Sequence, residues 1–138
     1  MPHITDFKLG YEFAPIRFQL RPQEVDLYLQ AVEESGTLLQ QQALVPPTAL
    51  IAYALRGILL EIGLPPGAIH TAQEASFSRS VASGESILFT ARLSRNAVRS
   101  GWRFVSIVFS GVDENGTQVV HGRSTVVISE DQIEGMER

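Results

Sequence analysis

The segment from Thr48 to Ile62 sets the first limit on what this chain can fold into. Leu50, Ile51, Ala54, Leu55, Ile58, Leu59 and Ile62 cover most of a helical wheel and leave few polar positions. A helix apolar nearly all round must be covered on several sides, so the pattern predicts a core helix. At roughly 1.5–3 kcal/mol for each large side chain fully buried, it contributes about 10–15 kcal/mol before the entropy of ordering is subtracted. Gly63 and then Pro65-Pro66-Gly67 stop it. Arg56 interrupts the apolar run, which is too short to span a membrane.

Something must cover that helix, and the rest of the chain reads as sheet. Ile69–Ser80, Ser86–Arg99 and Trp102–Val112 are long strand segments, and Thr117–Ile128 is a fourth. Period-two alternation is visible in Ile87, Phe89, Ala91 and Leu93, and in Trp102, Phe104, Val108 and Val112 over a longer stretch. Ser83-Gly84-Glu85, Ser100-Gly101 and Asn115-Gly116 are the expected turns, so the four strands should form a curled antiparallel meander. Upstream, residues 11–20 surround Pro15 and predict an edge strand. Pro22, Glu24 and Asp26 suit a helix N-terminus, and Val25, Tyr28, Leu29 and Val32 share one helical face. That helix is expected to end near Ser35-Gly36, with a loop from Thr37 to Pro47. The reading is α+β: one domain over residues 1–129, its curled antiparallel sheet wrapped around a long buried helix. Residues 130–138 form a polar C-terminal tail that should fray.

Composition narrows the function classes. The 138 residues suit one domain, and 44% hydrophobic with 19% charged residues is a globular balance, not a disordered one. With no cysteine, disulfides, thiolate nucleophiles and cysteine-ligated zinc are excluded. No two histidines have metal-ligand spacing and no glycine-rich phosphate loop is present, so no metal or other cofactor is expected. The net charge of −4 offers no general attraction for nucleic acid or an anionic membrane. The first ten residues lack the basic stretch and apolar core of a signal peptide, which suggests a cytoplasmic location. Arg79, Arg92, Arg95, Arg99 and Arg103 supply five of the eleven basic residues. They are candidates for a phosphate-binding patch if they converge, and ordinary outward strand positions if they do not.

The order of elements and several local motifs carry a resemblance. Gln73-Glu74-Ala75-Ser76-Phe77-Ser78-Arg79-Ser80-Val81, followed by Gly84-Glu85-Ser86-Ile87, resembles a segment of the MaoC-like hydratases and dehydratases. Val119 to Val127 looks like their closing strand, and Pro22 to Val32 like the helix before their active loop. The resemblance implies a hot-dog fold, with the sheet as bun. It also implies chemistry on an acyl thioester of coenzyme A or acyl-carrier protein, by reversible addition of water to the α,β double bond. A carboxylate and an imidazole must then share one water and exchange protons with it. The thioester oxygen needs donors, because negative charge builds there. The family sets an aspartate and, after four intervening residues, a histidine in the loop before the buried helix, and a glycine N–H at that helix's start.

This chain departs from that pattern at each point. Aligned on Ala31-Val32 and Thr48-Ala49, the aspartate falls at Ser35, the histidine at Gln40 and the glycine at Pro47. Serine would itself need a base, glutamine does not titrate, and proline has no N–H to donate. There is no histidine between His3 and His70 and no aspartate between Asp26 and Asp113, so the dyad is absent, not displaced.

Other candidates are weaker. Glu33 and Glu34 could act as a lone base but read as solvated charges at a helix end, and Glu61 as a carboxylate where the buried helix emerges. His70 and His121 have no paired carboxylate in sequence. Three readings follow. One is a catalytically degenerate subunit that binds or shapes an acyl pocket through Leu50, Tyr53 and Ala54. It would do so as a homodimer or beside a dyad-bearing hot-dog partner, as the resemblance implies. The second is a self-sufficient hydratase, dehydratase or thioesterase using Glu34 or Glu61. The third is a non-enzymatic binder of a hydrophobic ligand. The first is favoured, because the loop residues lack catalytic chemistry while the core and sheet patterns are intact.

Overall fold

A computed structural model describes residues 4–19, 21–31 and 43–137. Its central element is helix α2, Pro47–Ile62. Pro46 and Pro47 begin it, where fixed φ angles and missing N–H groups cost the first turn nothing. Gly63 ends it in the left-handed conformation (φ 66°), its N–H bonded to Leu59 O at 3.1 Å. Leu50, Ala54, Ile58 and Ile62 are almost wholly buried. The expected all-round cover is only partly realised: Ala52, Arg56 and Leu60 lie on an open strip, Leu60 at 72% exposure. Spaced four apart, these three share one side of the helix.

The strands are β1 (Ile16–Gln19), β2 (Leu44–Val45), β3 (Ile69–Phe77), β4 (Val81–Ala82), β5 (Ser86–Arg99), β6 (Trp102–Val112) and β7 (Gln118–Ser129). Helix α1 spans Pro22–Ala31, and α3 spans Glu130–Glu137. Five strands form one antiparallel sheet in the order β1-β5-β6-β7-β3, and β2 and β4 pair separately. Hairpin β5–β6 turns through Ser100 and Gly101, both at positive φ (53° and 81°), as a two-residue loop requires. Hairpin β6–β7 closes with Gly116 N–H on Asp113 O at 3.0 Å.

Two expectations need correction. The sheet is not a simple meander, because β3 pairs with β7 at the far edge and β1 takes the place beside β5. After Phe77 the chain leaves the sheet: Val81 and Ala82 pair with Val45 and Leu44, and only then does Gly84 (φ 91°) turn it into β5. Residues 130–137 form helix α3 where a frayed tail was expected. Ile133 is 2% exposed and joins the core around Ile62 and Ile128. Glu130 binds Arg103 at 3.0 Å, and its N–H binds Gly101 O at 3.0 Å.

The core has two parts along α2. Leu50 and Ala54 pack with Val25, Leu29, Phe89 and Phe109, while Ile58 and Ile62 pack with Ile4, Phe7, Leu93 and Ile107. The first part ends at the N-terminus of α2, the place where the resemblance locates chemistry. No described helix is long and apolar enough to cross a membrane.

Candidate functional site at the N-terminus of the buried helix

A cleft of about 320 Å³ opens beside the start of α2, lined by Leu44, Val45, Pro47, Leu50, Phe77 and residues 78–81. Local folding builds it. The β2–β4 pair and the bond from Ser83 N–H to Ala43 O (2.8 Å) bring the approach to α2 against the chain leaving β3. Its walls are mostly aliphatic. Pro47 has no N–H, and the Ala49 N–H turns back to Pro46 O at 3.0 Å. Tyr28 and Thr48 share a 2.8 Å hydroxyl hydrogen bond that ties α1 to the same helix end.

Arg79 is the charged residue of the lining, and it is already engaged. Its guanidinium donates to both carboxylate oxygens of Glu85 (3.0 and 2.8 Å), to Asp113 Oδ2 (3.0 Å) and to Ser80 O (2.9 Å). Beside it Glu85 is held below the ordinary carboxylate range, first by Arg79 and then by the Ala82 N–H. Asp113 is also lowered, first by the Thr117 N–H and then by Arg79, and Arg79 itself is raised. This triad pins the turn before β5 to the β6–β7 hairpin. Among the described residues, no carboxylate or imidazole lines the cleft. A general acid–base reaction there would need a group the described wall does not supply.

The residues singled out in sequence are distributed as follows. Ser35, Gln40, Glu33 and Glu34 lie outside the described residues. Leu50 lines the cleft; Ala54 is fully buried in the core; Tyr53 packs on Phe18, ring centroids 5.6 Å apart. Glu61 sits at the opposite end of α2, accepting from Tyr11 Oη (2.7 Å) and the Ala14 N–H (3.1 Å). His70 and His121 are exposed on β3 and β7, away from the cleft.

The five arginines do not converge. Arg79 is in the triad. Arg103 points inward to Asn96 Oδ1 (2.8 Å) and Glu130. Arg95 stacks over Phe104, 4.6 Å from the ring centroid. Arg92 and Arg99 are exposed further along β5. Sequence reasoning missed the Glu85–Arg79–Asp113 cluster, because its partners come together only when the sheet closes. It also missed Tyr11 as the partner of Glu61.

No protein-family profile matches the chain, and no curated protein matches it in sequence. Solved structures do match its shape. The (R)-hydratase of A. caviae involved in PHA biosynthesis superposes with TM-score 0.71 at 17% identity, covering 87% of this chain and 96% of that one. The fold is a hot dog. The C-terminally truncated HadBC complex of Mycobacterium tuberculosis, a (3R)-hydroxyacyl-ACP dehydratase, gives 0.73 at 16% identity, covering 87% and 96%. The MaoC-like dehydratase of Rhodospirillum rubrum gives 0.65 at 15% identity, covering 91% and 94%. In hot-dog terms α2 is the sausage and the five-strand sheet the bun, with β1 and β3 as its two edges.

Proposed function

We propose that this chain is the dyad-less half of a hot-dog hydratase or dehydratase, shaping the acyl pocket for a thioester of coenzyme A or acyl-carrier protein. Its partner, a hot-dog subunit with an intact aspartate and histidine, supplies acid and base. The observation that carries the reading is the cleft at the N-terminus of α2. It keeps an aliphatic wall of Leu44, Val45 and Leu50, but the described lining has no carboxylate or imidazole, and Pro47 opens the helix beside it. Such a wall can hold an acyl chain and cannot move a proton.

Pairing has its own support. The edge strand β3 is exposed along nearly its whole length, an open template for a second sheet. The strip of Ala52, Arg56 and Leu60 leaves the helix uncovered on one side. The HadBC structure that this chain superposes on is itself a complex. We read the chain as acting in the cytoplasm, as a homodimer or with that partner.

The test is co-purification with a dyad-bearing hot-dog subunit followed by an enoyl-thioester hydration assay. Turnover by the mixture, and none by this chain alone, supports the proposal. Turnover by this chain alone contradicts it.

A further inference from the structure

A second hollow among the described residues lies away from the cleft at α2. It is a trough of about 1050 Å³ whose lining comes from β3, β5, β6, β7 and residues 12–15, with none from α2. Phe109 turns inward to the core, so its neighbours Val108 and Ser110 face away from α2. The trough therefore lies on the outer face of the sheet.

Strand register arranges its side chains in two rows. Arg92, Val108, Arg123 and Glu74 stand directly opposite one another across β5, β6, β7 and β3, and Glu12 bridges to Arg92 at the end. One step along, Thr90, Ser110, His121 and Ser76 form the second row. Directly opposed residues share a face, so all these side chains reach the same hollow. Arg92 and Arg123 flank Val108, two strand spacings or about 10 Å apart at the backbone, within reach of a common ligand. Ser110 and His121 complete the ring, Ser110 within 3.2 Å of Thr90 Oγ1.

The carboxylates are outboard. Glu12 and Glu74 occupy the two ends of the first row, and both arginines lie between them. Glu74 binds Arg123 at 3.1 Å, but both side chains are more than half exposed, and such a pair is worth little in water. Among the described residues, neither Arg92 nor His121 has a side-chain hydrogen-bond partner.

We propose that this trough is a phosphate-binding site: Arg92 and Arg123 grip a phosphomonoester dianion over Val108, with Ser110, Thr90 and His121 donating from the second row. Two guanidinium forks match the charge and oxygens of a phosphate dianion better than those of a carboxylate. The site lies outside the α2 cleft and does not depend on the acyl-thioester reading.

The test is titration of the full chain with inorganic phosphate, adenosine 5′-monophosphate and acetate. It is read by calorimetry and by the His121 ring-proton shifts in NMR. Saturable binding of phosphate, with His121 moving, is expected. Tighter binding of the nucleotide would place the phosphate on a nucleotide; equal binding would make phosphate itself the ligand. The Arg92→Gln/Arg123→Gln double variant should lose about tenfold or more in affinity, since both charge-assisted forks are gone. Arg99→Gln should bind as the parent does. Glu74→Gln frees Arg123 and should tighten binding, a gain that misfolding cannot produce. Acetate binding as well as phosphate, no saturable shift of His121 at millimolar phosphate, or unchanged affinity in the double variant would each overturn the proposal.

Discussion

Tyr11 Oη donates to Glu61 Oε2 at 2.7 Å, while the Ala14 N–H donates to Oε1 of the same carboxylate at 3.1 Å. Glu61 thereby holds the N-terminal segment onto the far end of α2. Phe7 and Phe13 pack against the Tyr11 ring at centroid distances of 4.8 and 5.2 Å, so the clamp also closes that end of the core.

The clamp should show at alkaline pH. The hydrogen bond to Glu61, followed by desolvation and the carboxylate's charge, raises the Tyr11 pKa above that of a free tyrosine. The folded state then holds its proton more tightly than the unfolded chain. Its contribution is fully present below about pH 10 and is lost as pH climbs through the raised folded value. Tyr11→Phe should lower the melting temperature at neutral pH and flatten the alkaline limb. Thermal melts across that range check both, and a limb unchanged by the substitution would refute the clamp.

On the acid side, the Arg79 triad should dominate. Glu85 and Asp113 both have lowered pKa values, so their contribution is present above about pH 4 and is lost as pH falls through the folded values. The two carboxylates differ in their first cause. Arg79→Met should release Glu85 toward the ordinary range, whereas Asp113 keeps the Thr117 and Asn115 N–H groups and stays low. Carboxyl titration by NMR would distinguish them; equal upward movement would contradict the assignment.

Much of the sheet was legible because its signals are local. Ser86–Arg99 and Trp102–Val112 match the structure at both ends, since alternation and the Ser100-Gly101 turn lie within one hairpin. The partner of β3 was not legible. Ile69–Phe77 is an exposed edge with no clean alternation, and its pairing with β7 is set by a distant part of the chain. Helix α3 rests on one apolar anchor, Ile133, in a polar stretch. The arginines were hidden by a bulge. Arg92 and Arg95 are three apart and should face opposite ways, yet the register shift between Leu93 and Arg95 puts both on the outer face. Ser35 and Gln40, on which the expected loss of the dyad rests, lie outside the described residues. The cleft at α2 required the β2–β4 pair, which two-residue strands do not announce.

The open β3 edge predicts assembly. The purified chain should sediment as a dimer at micromolar concentration, joined through Ile69–Phe77. Ile69→Lys with Ala72→Lys places charge along that edge, a device that blocks strand addition. It should give a monomer with an unchanged circular dichroism spectrum. A dimer that survives both lysines would move the interface elsewhere.

Hydration of an enoyl thioester tests the central claim most directly. General acid–base assistance contributes about 10²–10⁴-fold and a positioned oxyanion donor about 10²–10³-fold. In the proposed function, Ser35, Gln40 and Pro47 stand at the positions of the MaoC-like dyad and glycine, and the chain forfeits both contributions. Ser35→Asp with Gln40→His should recover little, because Pro47 still withholds its N–H. The measurement is loss of crotonyl-thioester absorbance with carefully purified chain, alone and mixed with a dyad-bearing hot-dog subunit. The account predicts negligible turnover alone and turnover in the mixture. Robust turnover by the isolated chain, abolished in Glu34→Gln or Glu61→Gln, would contradict it.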